Sequence, residues 1–302
     1  RHHKGSSVRK LRFSEDGTLL FSAAKTVKVT DLTTSKVVRK IEDTEKGSKK
    51  KKIYSLLIAD EYLLCVGDDE GGFTVWDYRT ERPAHLCLSV CEGYLSDLDI
   101  DSARKIVVAS SGEGTLTAFN LRAKRMEEPQ SELFDAGFQT VRYLEEKGKV
   151  VVGAEDGALN LFNIGGWGNI SDRFPVKKSS GAGKNAEAVS IDCMEVLESG
   201  EGVDENLLVV GASDGTLQAV SLFPNKARNV LFSTSSKNAA ASSSSSTTLG
   251  EGIECVDVHQ VAHRVVATTG ATVKLLSYEV IRSAASVKRL KKGASFFDGL
   301  EA

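Results

Sequence analysis

Histidines, cysteines and acidic runs are the residues of this sequence that could do chemistry, and their spacing argues against most of it. His259 and His263 stand four apart. That spacing serves a metal when both rings leave one helix face, but here the pair flanks a turn between strand-like runs. Cys87 and Cys91 are also four apart, while Cys65, Cys193 and Cys255 supply no second pair. No zinc set forms, and an odd count of cysteines reads as reduced thiols of an intracellular protein. Asp68-Asp69-Glu70 lies at a turn, where carboxylates accept local backbone amides; calcium binding is the alternative. There is no Gly-x-Ser-x-Gly elbow and no Gly-Lys-Ser/Thr phosphate loop, and Gly112-Glu113-Gly114 is followed by no helix. The sequence therefore nominates no catalytic residue, no cofactor site and no metal. It points away from an enzyme and from a small-molecule substrate.

The residues that could bind a macromolecule are easier to find. Lys49, Lys50, Lys51 and Lys52 form a basic run, and Lys288, Arg289, Lys291 and Lys292 form another. Each is expected in a solvated segment. The first could contact RNA phosphate or an acidic partner, and the second resembles a short nuclear-import signal. The whole chain has 39 basic and 41 acidic side chains, so any nucleic-acid contact must come from a local patch rather than a bulk field. Trp167 and Phe174, with Asp172 and Arg173 between them, are too apolar to be left fully exposed. They are expected to pack on a face of the fold or to anchor a partner. Trp76-Asp77-Tyr78-Arg79 is a further candidate, with Arg79 either a strand-end hydrogen-bond donor or a contact for another protein.

Repetition identifies the elements that must position these residues. Six stretches share one pattern: an alternating strand, a polar turn, a small-residue apolar strand, a Gly or Asp-Gly turn, and a last alternating strand. Their cores span 8–32, 53–79, 94–121, 138–164, 190–222 and 253–280. Their end markers Asp31, Asp77, Asn120, Asn163, Ser221 and Tyr278 are separated by 46, 43, 43, 58 and 57 residues. WD40 blades repeat every ~40–45 residues, with four strands each. Asp156-Gly157 and Asp214-Gly215 suit the hairpins between second and third strands. In Val107–Ser111 both faces are apolar or small, as a strand packed between two blades requires. The pattern predicts an all-β, WD40-type β-propeller over 1–287, with six visible blades and a basic tail over 288–302 that carries Phe296-Phe297. An abrupt start at Arg1-His2-His3, without an initiator Met, suggests a fragment whose full-length form has a seventh, upstream blade.

The long spacings hold insertions. Gly165 to Ala188 opens with the Trp167–Phe174 stretch and closes, over 176–188, on a flexible glycine- and serine-bearing linker. The stretch 233–250 is serine-rich, is expected to be disordered, and offers phosphorylation sites. No run of about 18 apolar residues is present to span a membrane, and no apolar leader follows the first residues.

Particular residues carry more than a generic fold. Phe13-Ser14-Glu15-Asp16-Gly17, Gly67-Asp68-Asp69 with Gly71-Gly72 and Trp76-Asp77, Ser171-Asp172-Arg173-Phe174, Ser190-Ile191-Asp192-Cys193-Met194, Pro224-Asn225 and Phe296-Phe297 together resemble the WD repeat-containing protein 55 family. The resemblance implies a seven-bladed propeller. It also implies a nuclear, largely nucleolar protein that assists ribosomal RNA processing and large-subunit biogenesis through pre-ribosomal proteins or RNA. The Lys49–Lys52 run, the serine-rich insertion and a last blade without a Trp-Asp ending depart from the family pattern. The other reading is a substrate receptor for a cullin-type ubiquitin ligase, with Trp76-Asp77-Tyr78-Arg79 as the box read by the ligase adaptor.

Overall fold

The computed structural model of the chain describes residues 2–42, 51–80, 83–87, 89–176, 189–197, 207–223, 225–234, 251–260, 262, 264–270 and 272–277. Its strands form six antiparallel sheets, each in simple chain order, in the arrangement of a six-bladed β-propeller. Blade one contains β1 (Lys10–Phe13), β2 (Leu19–Ala23), β3 (Val27–Asp31) and β4 (Lys36–Ile41). Blade two contains β5 (Ile53–Ile58), β6 (Leu63–Asp68), β7 (Phe73–Asp77) and β8 (Pro83–Cys87). Blade three has β9 (Leu95–Asp101), β10 (Ile106–Ser111), β11 (Leu116–Asn120) and β12 (Arg125–Glu127). Blade four has β13 (Phe138–Leu144), β14 (Lys149–Ala154), β15 (Ala158–Asn163) and β16 (Gly166–Pro175). Blade five comprises β17 (Ile191–Leu197), β18 (Leu207–Ala212), β19 (Thr216–Ser221) and β20 (Lys226–Ser233). Blade six has three strands among the described residues: β21 (Ile253–His259), β22 (Arg264–Thr269) and β23 (Thr272–Ser277). The seventh blade expected from the resemblance is not among these sheets.

Each repeat core read from the sequence covers the first three strands of its blade. The fourth strands escaped the pattern. The clearest case is β16: the Trp167–Phe174 stretch, expected to be an insertion, is the outer strand of blade four. The linkers over 177–188 and 235–250 lie outside the described residues, as do Lys49, Lys50, Lys288, Arg289, Lys291, Lys292 and the Phe296-Phe297 pair.

The chain divides into two compact units. The first comprises Arg1–Ala154 and Asn160–Arg173; the second comprises Glu155–Leu159 and Phe174–Ala302. Within the first, apolar clusters lie between successive blades, because a single twisted sheet cannot cover both of its faces. Phe21 and Val29 of blade one meet Leu56, Leu64 and Trp76 of blade two. Phe73 and Val75 of blade two meet Leu98, Val107 and Phe119 of blade three, with the Phe73 and Phe119 rings stacked at 3.9 Å. Val108 and Leu116 of blade three meet Val141, Phe162 and Trp167 of blade four. In the second unit, Val209 and Leu217 of blade five join Ile253, Val256 and Val265 of blade six.

Three of the second strands are buried on both faces, as the small-residue runs require: five of six residues of β10 and β14, and all six of β18. Gly67 on β6 shows how tightly blades approach. A Cβ there would sit 2.3 Å from Ser55 Oγ and 2.7 Å from Leu95 Cβ of the next blade. One face of blade one is left open. Leu11 and Phe13 on β1 are 51% and 61% exposed, whereas Leu56 on β5 and Leu98 on β9 are buried.

Candidate functional site

Four-stranded meanders have two ends. At one, the base, turns join the first strand to the second and the third to the fourth. At the other, the hairpin end, lie the second-to-third turns and the links between blades. The candidate residues are distributed over both.

Trp76-Asp77-Tyr78-Arg79 ends β7 at the base of blade two. Trp76 is only 5% exposed and belongs to the core between blades one and two, so it is not a surface anchor. Asp77 Oδ1 accepts the Arg79 backbone N–H (3.0 Å) and Nε–H (2.9 Å), and Oδ2 accepts an Arg79 guanidinium N–H (2.7 Å). These bonds hold the Asp77 carboxyl below the usual aspartate range. The Arg79 guanidinium lies 3.8 Å from the centre of the Tyr62 ring, and the Arg79 carbonyl accepts a bond from Arg39. Asp31 in blade one and Asn120 in blade three occupy the same turn position and accept backbone N–H groups in the same way. The turn is thus a repeated local structure, with short polar side chains closing it. Arg79 remains 54% exposed at its side chain, but its charge is engaged.

At the hairpin end, Lys51 and Lys52 are tied down. Lys51 Nζ pairs with Asp68 Oδ2 at 3.2 Å and with Glu70 at 3.5 Å, and the Lys52 amide donates to Asp69. Partial burial works against the Lys51 charge, but Asp68 and Glu70 outweigh it and raise its pKa. Asp68 Oδ1 also accepts the Glu70 and Gly72 amides, so the acidic run braces its own turn. Among the described residues, no three His, Cys, Asp or Glu side chains are grouped to hold a metal. Among the described residues, no helix is long and apolar enough to cross a membrane.

Trp167 is 2% exposed in the core between blades three and four, so of the two readings offered by the sequence it is the packed one and not a partner anchor. It is buried because β16 pairs as an ordinary fourth strand and turns the indole inward. Asp172 and Arg173 are exposed on the same strand, Phe174 is half-buried, and Asp172 accepts the Arg173 amide.

Two arrangements in the first unit had no signature in the sequence. The first is a row at the hairpin end. Arg9 lies 4.0 Å over the Tyr54 ring, Tyr54 lies 4.7 Å from Tyr94, and the Tyr94 hydroxyl bonds the Gln139 amide at 2.9 Å. These four residues come from blade one, blade two, the link into blade three, and blade four. Tyr54 and Gln139 are the extra residues of β-bulges between Ile53 and Ser55 and between Phe138 and Thr140. A bulge re-aims a side chain out of the regular alternation. The only hint in the sequence was an aromatic or polar residue just inside a first strand. The row offers π faces, one guanidinium and one amide, which suit binding rather than bond breaking.

The second arrangement is a buried ion network among first strands. Asp97 on β9 bonds Arg142 of β13 at 2.6 Å, Thr140 of β13 at 3.0 Å and Lys10 of β1 at 3.2 Å. Burial pushes the Asp97 carboxyl up, but Lys10, Arg142 and Arg12 prevail and hold it well below the usual range. The network joins blade one to blades three and four.

No protein-family model matches the chain. Among curated proteins, it is 35% identical over 229 residues to "WD repeat-containing protein 55" of Rattus norvegicus, covering 74% of this chain and 53% of that protein. It is 34% identical over 229 residues to the Homo sapiens protein of the same name, with the same coverage. It is 28% identical over 228 residues to that of Arabidopsis thaliana, covering 75% of this chain and 58% of that protein. The chain thus spans about half the length of the curated relatives it matches. Among solved structures, a chain of the mitotic checkpoint complex superposes with a TM-score of 0.67 at 12% identity, over 91% of this chain and 74% of that one. The computationally designed Ika8 protein superposes with a TM-score of 0.58 at 18% identity, over 90% of this chain and 71% of its own. At such identities these two establish the fold alone.

Proposed function

The chain is homologous, over three quarters of its length, to the WD repeat-containing protein 55 proteins of animals and plants, and from that premise we propose that it is a non-catalytic scaffold of the nucleus and nucleolus that assists ribosomal RNA processing and large-subunit biogenesis. Homology to that family is the observation that carries the reading. A WD-repeat propeller is a protein–protein interaction platform, and this one fits the role in how it uses its side chains. Its cores are consumed between blades, while its turns and the Arg9–Tyr54–Tyr94–Gln139 row remain at the surface. In this reading the row receives an extended segment of a pre-ribosomal assembly factor. The tyrosine rings contribute apolar area, and Arg9 and Gln139 provide directional hydrogen bonds.

The test is purification of the tagged full-length protein from nuclei at moderate salt, followed by mass spectrometry and RNA sequencing. Large-subunit assembly factors and precursor ribosomal RNA are the expected companions. Recovery of a cullin and its adaptor, with no pre-ribosomal material, would overturn the proposal in favour of a ligase receptor. Arg79 would then have to act while held by Asp77 and Tyr62.

A further inference from the structure

The base of blade three carries charge that its fold does not use. The turn from β9 to β10 contains Arg104 and Lys105, and the turn from β11 into β12 contains Arg122 and Lys124, with Arg125 opening β12. A hydrogen bond from the Arg122 guanidinium to the Ala103 carbonyl (3.1 Å) holds the two turns side by side. Arg104 is paired with Asp101 and Lys105 with Asp60. Arg122, Lys124 and Arg125 are exposed, and no ion pair is formed by any of them among the described residues.

Two of these cations occupy positions that the backbone disfavours. Lys105 has φ 57° and Lys124 has φ 52°, in the left-handed region that crowds a Cβ. Lys105 accepts the Leu121 amide just as Gly148 of blade four accepts the Ile164 amide, with φ 62°. Lys124 corresponds to Ser35 of blade one, with φ 55°. A small residue suffices at both places in other blades, and blade three has lysine at each. Strained backbone of this kind collects at functional sites.

We infer that the base of blade three docks the phosphodiester backbone of RNA. The chemistry favours a nucleic acid over an acidic protein. Three of the five cations are arginines, whose planar forks match phosphate oxygens. Protein docking sites are built around buried aromatic or aliphatic anchors, and the only apolar side chains on these two turns are Ala103, Ala123 and half-hidden Leu121. The choice of RNA over DNA rests on the ribosomal reading above; the phosphate contact itself does not.

The experiment measures binding of the purified full chain to a labelled single-stranded RNA of roughly 20 nucleotides, by fluorescence anisotropy at about 50, 100 and 200 mM KCl. Substituting Arg122→Ala, Lys124→Ala and Arg125→Ala together is expected to weaken binding about tenfold or more and to reduce the slope of log Kd against log salt by about 2, as loss of three phosphate contacts requires. Lys124→Gly keeps folding out of the question, because glycine suits the turn. It should melt no lower than the parent yet bind RNA more weakly. A triple variant within about twofold of the parent in Kd, with the parent's salt slope, would overturn the proposal. So would an equal loss on neutralising Lys25, Lys36 and Lys40 instead, or equally tight binding of a polyglutamate peptide that depends on the same three residues. RNA binding that passes this test while nuclear purification yields no pre-ribosomal material would retain the phosphate site and remove only the ribosomal setting.

Discussion

Blades two and three use the same turn, after the third strand, in opposite ways. In blade two, Asp77 closes the turn and also takes the Arg79 guanidinium, which rests on Tyr62 and leaves little charge to offer. In blade three, Asn120 closes the turn by accepting two backbone amides and donates to Glu127, while Arg122, Lys124 and Arg125 are exposed and form no ion pair among the described residues. A recognisable motif marks a satisfied structure, and the spare charge lies where no motif draws the eye. A paired carboxylate accounts for the difference.

Stability measurements test that contrast, since engaged charges should be costly to remove and spare ones should not. The largest effect is expected for Asp97→Asn, the most engaged carboxylate described. Leaving the largely covered Arg142 without the Asp97 charge should cost about 3 kcal/mol in urea unfolding at neutral pH. The sign of its pH dependence follows from the lowered carboxyl pKa. The unfolded chain binds a proton there that the folded chain refuses. The stabilisation is therefore complete above the ordinary aspartate value of about 3.9 and is lost as pH falls below it. The gap between parent and Asp97→Asn should narrow when urea midpoints are compared at about pH 5 and pH 3. Midpoints that stay a constant distance apart would show that the network stores no charge energy.

Asp77→Ala comes next. It removes a turn closure and a bidentate partner at a partly exposed site, and a loss of about 1–2 kcal/mol is expected from the same denaturant curves. A loss no larger than that of an ordinary surface change would erase the contrast between the blades. Lys124→Gly should move the other way, stabilising by up to about 1 kcal/mol in thermal melts as left-handed strain is relieved. Arg122→Ala with Arg125→Ala should alter stability least, within about 0.5 kcal/mol, because neither has a carboxylate to lose.

The fold was legible because blade physics repeats. Small apolar runs such as Val107–Ser111 and glycine turns such as Asp156-Gly157 recur in the same order in each repeat, and the apolar runs are dictated by burial between two neighbours. The outer strands were not legible. They have one exposed face and less constraint, and Gly165-Gly166-Trp167-Gly168 interrupts the alternation that would have identified β16. The same interruption left open whether Trp167 packs on the fold or anchors a partner, and it fills the core. The Arg9–Tyr54–Tyr94–Gln139 row could not be read from sequence, since its members lie 40 or more residues apart and meet only because first strands converge. The cations of blade three were visible as residues. What the sequence hid was that two separate turns lie side by side and that only two of the five cations are paired.

The bond from Lys10 to Asp97 links residues 87 positions apart and passes over the whole of blade two. A chain made from its N-terminus toward its C-terminus produces blade one long before its counter-charge exists. Until blade three has left the ribosome, Lys10 must wait without Asp97, a period in which a chaperone or a neighbouring nascent chain has access to the first sheet. Synthesis of the third blade is therefore the event that supplies the partner of Lys10.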